Sequence, residues 1–175
     1  MQVTTAARFV LGYAALLTAG CGAPEGANAA GAQDTAPLSP AAAVPAEREA
    51  QVRAFVNDLF GAYAPGGSGL DWREAQAVFD PELAGAIGAA IAKAEAQQTI
   101  PDALGADPLC GCQDWADFDH RILDVSVDGD VAKVGTRNTN FGGSTTRDLE
   151  LVDTPQGWRV YDIDGSFRQS VMEDA

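Results

Sequence analysis

The chain is poor in the residues that most chemistry needs. It has one histidine, three cysteines and 11 basic side chains against 25 acidic ones, for a formal net charge of −14 over 175 residues. The bases form no run and are not interleaved with aromatics, so nothing is arranged to neutralise a phosphate backbone, and no nucleic-acid partner is expected. The same acidity repels anionic lipid headgroups, so attachment to a membrane has to come from apolar groups. There is no nucleophile elbow, phosphate loop or internal repeat. Cys110, Cys112 and His120 fit no standard zinc spacing, and no cofactor or metal is implied. The longest apolar run, Phe9 to Gly20, is too short to span a bilayer comfortably.

That run has the length of a signal-peptide core. Arg8 precedes it as the only charge before Glu25, and it ends "LTAGC". These residues resemble a bacterial lipobox, with Thr18, Ala19 and Gly20 as the small residues before Cys21. The resemblance implies a signal peptide over residues 1–20 and lipidation of Cys21; the other reading is an ordinary secretory signal. Gly22 stands where enterobacterial lipoproteins retained at the inner membrane carry Asp. By that analogy the anchor belongs in the outer membrane, facing the periplasm. Residues 21–46 are rich in Ala, Gly and Pro, with Leu38 and Val44 as the only large apolar residues. Such a stretch buries too little surface to offset its ordering entropy, so it reads as a flexible tether with a reach of roughly 25–30 Å.

Residues 47–175 are enough for one domain with one core. Val52, Phe55, Val56, Leu59, Phe60 and Tyr63 recur at helical spacing. Asp71 with Glu74 forms a capping-box pattern, and Asp80-Pro81 starts another helix as cap and first residue. After residue 118 the period changes to two. Leu123, Val125 and Val127 alternate with polar residues, and "DGD", "GGS" and "TPQG" punctuate further runs. Leu149 and Leu151 should face inward. Trp158 and Val160 should share one face of the last strand, with Tyr161 and Ile163 near the other. Helices followed by an antiparallel meander make an α+β fold, with the N-terminal helices packed across a curved four-stranded sheet.

Within this frame, Asp107, Pro108, Gln113, Asp114 and Trp115, then Trp158, Val160, Asp162 and Ile163, resemble the pattern of a family of bacterial exported proteins known as Domain of Unknown Function 3828. The resemblance spans roughly residues 50–165. It implies a cone of the nuclear transport factor 2 or cystatin kind and no established activity.

The richest segment is "DPLCGCQDWADFDH", Asp107 to His120. With Cys21 lipidated, Cys110 and Cys112 remain as a pair suited to a disulfide in an oxidising compartment. The ring is so small that it would contribute only about 1.5 kcal/mol, so its effect should be local stiffening. Gln113, Asp114, Trp115, Asp117, His120 and Asp162 form the candidate functional loop. Asp114 is expected to fix a turn, Trp115 to plug the open end of the core, and Asp162 to bond the same loop. Three functions compete. The leading one is a non-catalytic binding or accessory module for an envelope protein or small ligand. The second is an isomerase- or hydrolase-like enzyme with Asp117 and His120 at a cone mouth, a cavity that Phe55, Leu59, Leu123 and Trp158 would fill if it were closed. The third is a thiol–disulfide factor using Cys110 and Cys112, disfavoured because no basic residue lies nearby in sequence.

Overall fold

The computed structural model describes residues 40–175, with side chains from residue 45; the signal segment, Cys21 and the tether up to residue 39 lie outside the described residues. Helix α1 covers Pro40–Gly61, so it begins inside the stretch expected as tether. Pro40 takes the first helical position and Ala41–Ala43 are the best helix formers, while Pro45 gives up one i→i−4 bond. Val52, Val56, Leu59 and Phe60 are buried along one face, and Phe55 is half-buried beside them.

A 3-10 turn, Trp72–Ala77, follows, capped by Asp71, whose side chain accepts from the Arg73 amide at 2.9 Å. Helix α2, Pro81–Gln97, is capped by Asp80, which accepts from the Glu82 and Leu83 amides. A second 3-10 turn spans Asp102–Leu104. The sheet is β1 (Asp119–Asp128), β2 (Val131–Asn140), β3 (Gly143–Thr154) and β4 (Gly157–Ile163), antiparallel throughout and in the order β1-β2-β3-β4. Helix α3, Phe167–Asp174, closes the chain. The chain thus adopts the α+β arrangement that its change of period implies, helices first and a curved meander after. No helix among the described residues is long and apolar enough to cross a membrane.

Two bulges alter the expected inward faces. On β1, Ile122 pairs with Thr136 and Asp124 with Gly135, leaving Leu123 as an extra residue. A bulge shifts the alternation by one, so Ile122, Val125 and Val127 turn toward the core and Leu123 is 45% exposed. On β4, Val160 pairs with Leu151 and Asp162 with Glu150, so Tyr161 is the extra residue. Ile163 therefore joins Trp158 and Val160 in the core rather than facing the other side. Leu149 and Leu151 face inward as expected.

Helix α1 is tied to the sheet end by end. In its first half, Arg48 lies over the Trp158 ring, pairs with Asp153 at 3.2 Å and donates to the Gly129 carbonyl. Just beyond its end, the fully buried Tyr63 donates to Asp107. On the far side, Val160 N–H donates to the Val78 carbonyl and Asp80 N–H to that of Val160, partly covering the β4 edge. Arg168 of α3 then reaches Asp80 at 2.6 Å and also pairs with Glu82.

Candidate functional site

The segment from Asp107 to His120 is a connector organised by its first residue. Asp107 Oδ1 accepts from the Leu109 amide at 2.9 Å and the Cys110 amide at 3.2 Å, while Oδ2 accepts from the Tyr63 hydroxyl at 2.5 Å. Its backbone closes the same turn, donating to the Cys112 carbonyl and accepting from Gly111. Burial pushes the Asp107 carboxyl above its usual range, with the Tyr63 hydroxyl, the two amides and the Trp72 indole acting the other way. Burial, then the Asp107 charge, also pushes the Tyr63 phenol far up, so the hydroxyl stays a donor.

Cys110 and Cys112 are joined in a disulfide with their Cα atoms 5.2 Å apart, within the usual range. Gly111 between them has φ +67, and the Arg147 guanidinium stands 2.1 Å from where a Cβ would project. The positive φ favours glycine there, and a Cβ would also push the Arg147 guanidinium aside. The sequence suggested no base near the cysteines, yet Arg147 arrives from β3. Its charge is shared with Asp164 at 2.9 Å. Cys110 is buried, with its sulfur facing the Asp107 and Cys112 carbonyl oxygens. Such surroundings disfavour a thiolate.

The rest of the connector is bonded to the β2–β3 hairpin. Asn138, itself buried, donates to the Leu109 carbonyl at 2.9 Å. Asn140 donates to the Asp114 carbonyl at 2.7 Å and accepts from the Ala116 amide. Asp117 Oδ1 accepts the Phe141 N–H at 2.6 Å. Trp115 is half-buried, edge-on to Tyr63 with ring centroids 5.4 Å apart. It sits so close to Gly69, φ +71, that an added Cβ would lie 2.5 Å from the indole. Trp115 thus occupies the end of the core, as its size suggests.

Other expectations change. Asp114 is exposed and, among the described residues, offers only its backbone carbonyl; Asp107 is the residue that fixes the turn. Gln113 is also exposed and bonds the Gly105 carbonyl. Asp162 does not bond this loop: its carboxylate accepts from the Ile163 and Arg168 amides at the start of α3. Asp117 and His120 do not form a pair. His120 Nε2 lies 2.9 Å from Asn57 Oδ1, and its ring stacks on Phe60 at 5.1 Å. Burial lowers its pKa, opposed by Asp119. The interior is occupied by Val56, Leu59, Phe60, Tyr63, Phe118, Val134 and Leu149. Of the four residues that would close a cone cavity, Leu59 and Trp158 are buried in it and Phe55 packs against it, whereas Leu123 is exposed and Ile122 packs there instead. Among the described residues no three His, Cys, Asp or Glu side chains are grouped to hold a metal ion.

Phe141 escaped the sequence reading. It forms a two-residue turn with Gly142 between the paired Asn140 and Gly143, and both turn residues have positive φ, +51 and +74. A mirror-image turn of this kind favours Asn or Asp followed by Gly. A phenylalanine there bears a left-handed backbone cost of about 1–2 kcal/mol, and its side chain is 65% exposed. Beside it, between Cys110–Cys112 and the hairpin, is an open groove of about 210 Å³ lined by Asn138, Asn140, Ser144 and Thr145. The signals were present in part. Asp-Pro initiates turns, and Asn138 and Asn140, two apart on a strand, have to face the same side.

No family model matches the chain, and no curated protein matches it. Three solved structures resemble it in arrangement. The intermembrane space region of the chloroplast protein ARC6 is 13% identical over 69% of this chain and 94% of its own, with a TM-score of 0.31. A phospholipid-binding protein from Ralstonia solanacearum, in complex with a phospholipid, is 16% identical over 74% and 77%, at 0.34. A protein of unknown function from Bacteroides thetaiotaomicron is 13% identical over 70% and 92%, at 0.32. At TM-scores this low, the likeness leaves the functions of these proteins without bearing on this chain.

Proposed function

We propose that the chain is a non-catalytic binding or accessory module of the bacterial cell envelope. In this reading acyl chains on Cys21 hold it to the membrane, the outer one facing the periplasm, and an envelope protein is its partner. The observation that carries the reading is the fixed union of the Asp107–Asp117 connector with the β2–β3 hairpin, made by Asn138, Asn140 and Asp117. It holds a polar groove and a hairpin tip in one arrangement while the interior is filled by the chain's own side chains. Pre-ordering of this sort lowers the entropy lost on association. The imidazole and the nearest loop carboxylate are each engaged elsewhere, which supports binding over proton transfer.

Two measurements test the proposal. Cys21→Ala should move the protein from the membrane fraction to the soluble one; persistence in the membrane would count against the anchor. Cross-linking in intact envelopes should yield a defined protein complex that Asp117→Ala weakens by freeing the tip. An unchanged complex in Asp117→Ala would place the contact elsewhere, and no complex would count against the module.

A further inference from the structure

We infer that Phe141 is the anchor of the binding surface and that it seats in an apolar pocket, flanked by basic side chains, on a protein partner. The inference rests on the binding-module reading and names the surface and the kind of partner. Three observations converge on this residue. Its side chain is 65% exposed. Its backbone lies at φ +51, a conformation in which Asn or Gly would cost less. Its amide is held by Asp117, and the neighbouring Asn140 is tied to the connector on both sides of its amide group. A loose aromatic at a hairpin tip would lose much of its binding energy to ordering. This one is ordered beforehand, at a local conformational cost, while its side chain stays 65% exposed among the described residues. Aromatic residues, phenylalanine among them, are enriched in protein interfaces.

Charge selects among the possible occupants. Asp114 and Asp117 are exposed on the connector side of the tip, and Asp119 is exposed just beyond them on β1. Arg121 and Arg137 pair across β1 and β2 on the outer face of the sheet, farther from the tip. An anionic lipid surface or a second copy of this chain, at a net charge of −14, would meet like charge on the connector side. A protein pocket with Lys or Arg on that side would not. The adjacent groove, with Asn140, Ser144 and Thr145, offers amide and hydroxyl groups to the rim of such a partner.

The test uses the full chain in the cells that make it, with a photo-cross-linking phenylalanine analogue at position 141 and, in separate samples, at Ser144 and at Gln156. Gln156 lies in the β3–β4 turn, at the opposite end of the sheet. The expected result is cross-linking from 141 and 144 to one protein, at an apolar site beside Lys or Arg, with none from Gln156. Asp114→Asn should lower the yield severalfold. In Phe141→Asn, capture through Ser144 should fall about thirtyfold, the scale of a lost aromatic anchor, while the melting midpoint stays level or rises. Cross-links from 141 only to lipid, to a second copy or to many abundant proteins would overturn the inference. So would a lower midpoint in Phe141→Asn, which would make Phe141 a packing residue. Capture through Gln156 and not 141 would overturn the inference while leaving the binding module standing; capture from no position would sink both.

Discussion

Removal of Asp107 should cost more stability than removal of the disulfide beside it. The carboxylate satisfies the Tyr63 hydroxyl and the amides of Leu109 and Cys110. Tyr63 and Leu109 are fully buried and Cys110 nearly so. A buried donor left without a partner costs about 1–3 kcal/mol. Three such donors, each near the lower half of that range because the loop can relax around the deletion, give about 3–5 kcal/mol for Asp107→Ala. The Cys110–Cys112 ring closes so few residues that the paired serine variant should lose only about 1.5 kcal/mol. Urea unfolding followed by tryptophan fluorescence compares the two directly, since Trp115 packs on Tyr63. The reasoning fails if Asp107→Ala costs no more than the serine pair, because the turn would then be held by the bridge. Asp107→Asn adds a pH test. Burial raises the carboxyl's folded pKa, so its contribution is fully present below the unfolded value of about 3.9 and is lost as pH rises through the folded value. The wild type's margin over Asp107→Asn should therefore be widest near pH 4 and shrink toward neutrality. A margin that grows with pH would show that hydrogen bonding outweighs burial.

Three further variants separate other parts of the account. Leu123→Ser should change stability by less than about 0.5 kcal/mol, against about 2–5 kcal/mol for Leu149→Ala, because the bulge leaves only the first exposed; equal losses in thermal unfolding would remove the bulge from solution. Gly69→Ala should cost about 2 kcal/mol or more through its positive φ and the Trp115 ring, and a neutral result would mean that Trp115 is not seated there. Asp80→Ala should cost about 3 kcal/mol, losing both the α2 cap and the partner of Arg168. Asp80→Asn, which keeps an acceptor for the helix amides, should recover part of that loss by the same denaturation assay.

Much of this fold is legible in the residue pattern. The apolar spacing of Val52, Val56, Leu59 and Phe60 marks one helix face, though it runs on to Tyr63, which lies past the helix end; Asp80-Pro81 marks the start of another, and the switch to period two marks the sheet. The errors fall where one residue carries more than its local pattern. Leu123 and Tyr161 obey the alternation in sequence and break it in space, because a bulge depends on the partner strand's register and leaves no trace in the strand's own residues. Arg147 reaches Gly111 from 36 positions away, so no local reading places a cation at the disulfide. Asp107 and Asp114 are both loop aspartates. What distinguishes them is the buried hydroxyl of Tyr63, which only the tertiary fold brings to the former. Phe141 was hidden by "GGS", whose glycines drew the turn one residue too late.

The most direct test of a fixed tip is amide hydrogen exchange at Phe141. Its N–H is bonded to the Asp117 carboxylate and to no strand neighbour, so protection there reports the union of connector and hairpin. Strong protection in the wild type, lost in Asp117→Ala while the core amides of Leu149 and Leu151 stay protected, is the expected result. Exchange at the unprotected rate in the wild type would mean that the hairpin tip is free of the connector, and that Phe141 is not held ready for a partner.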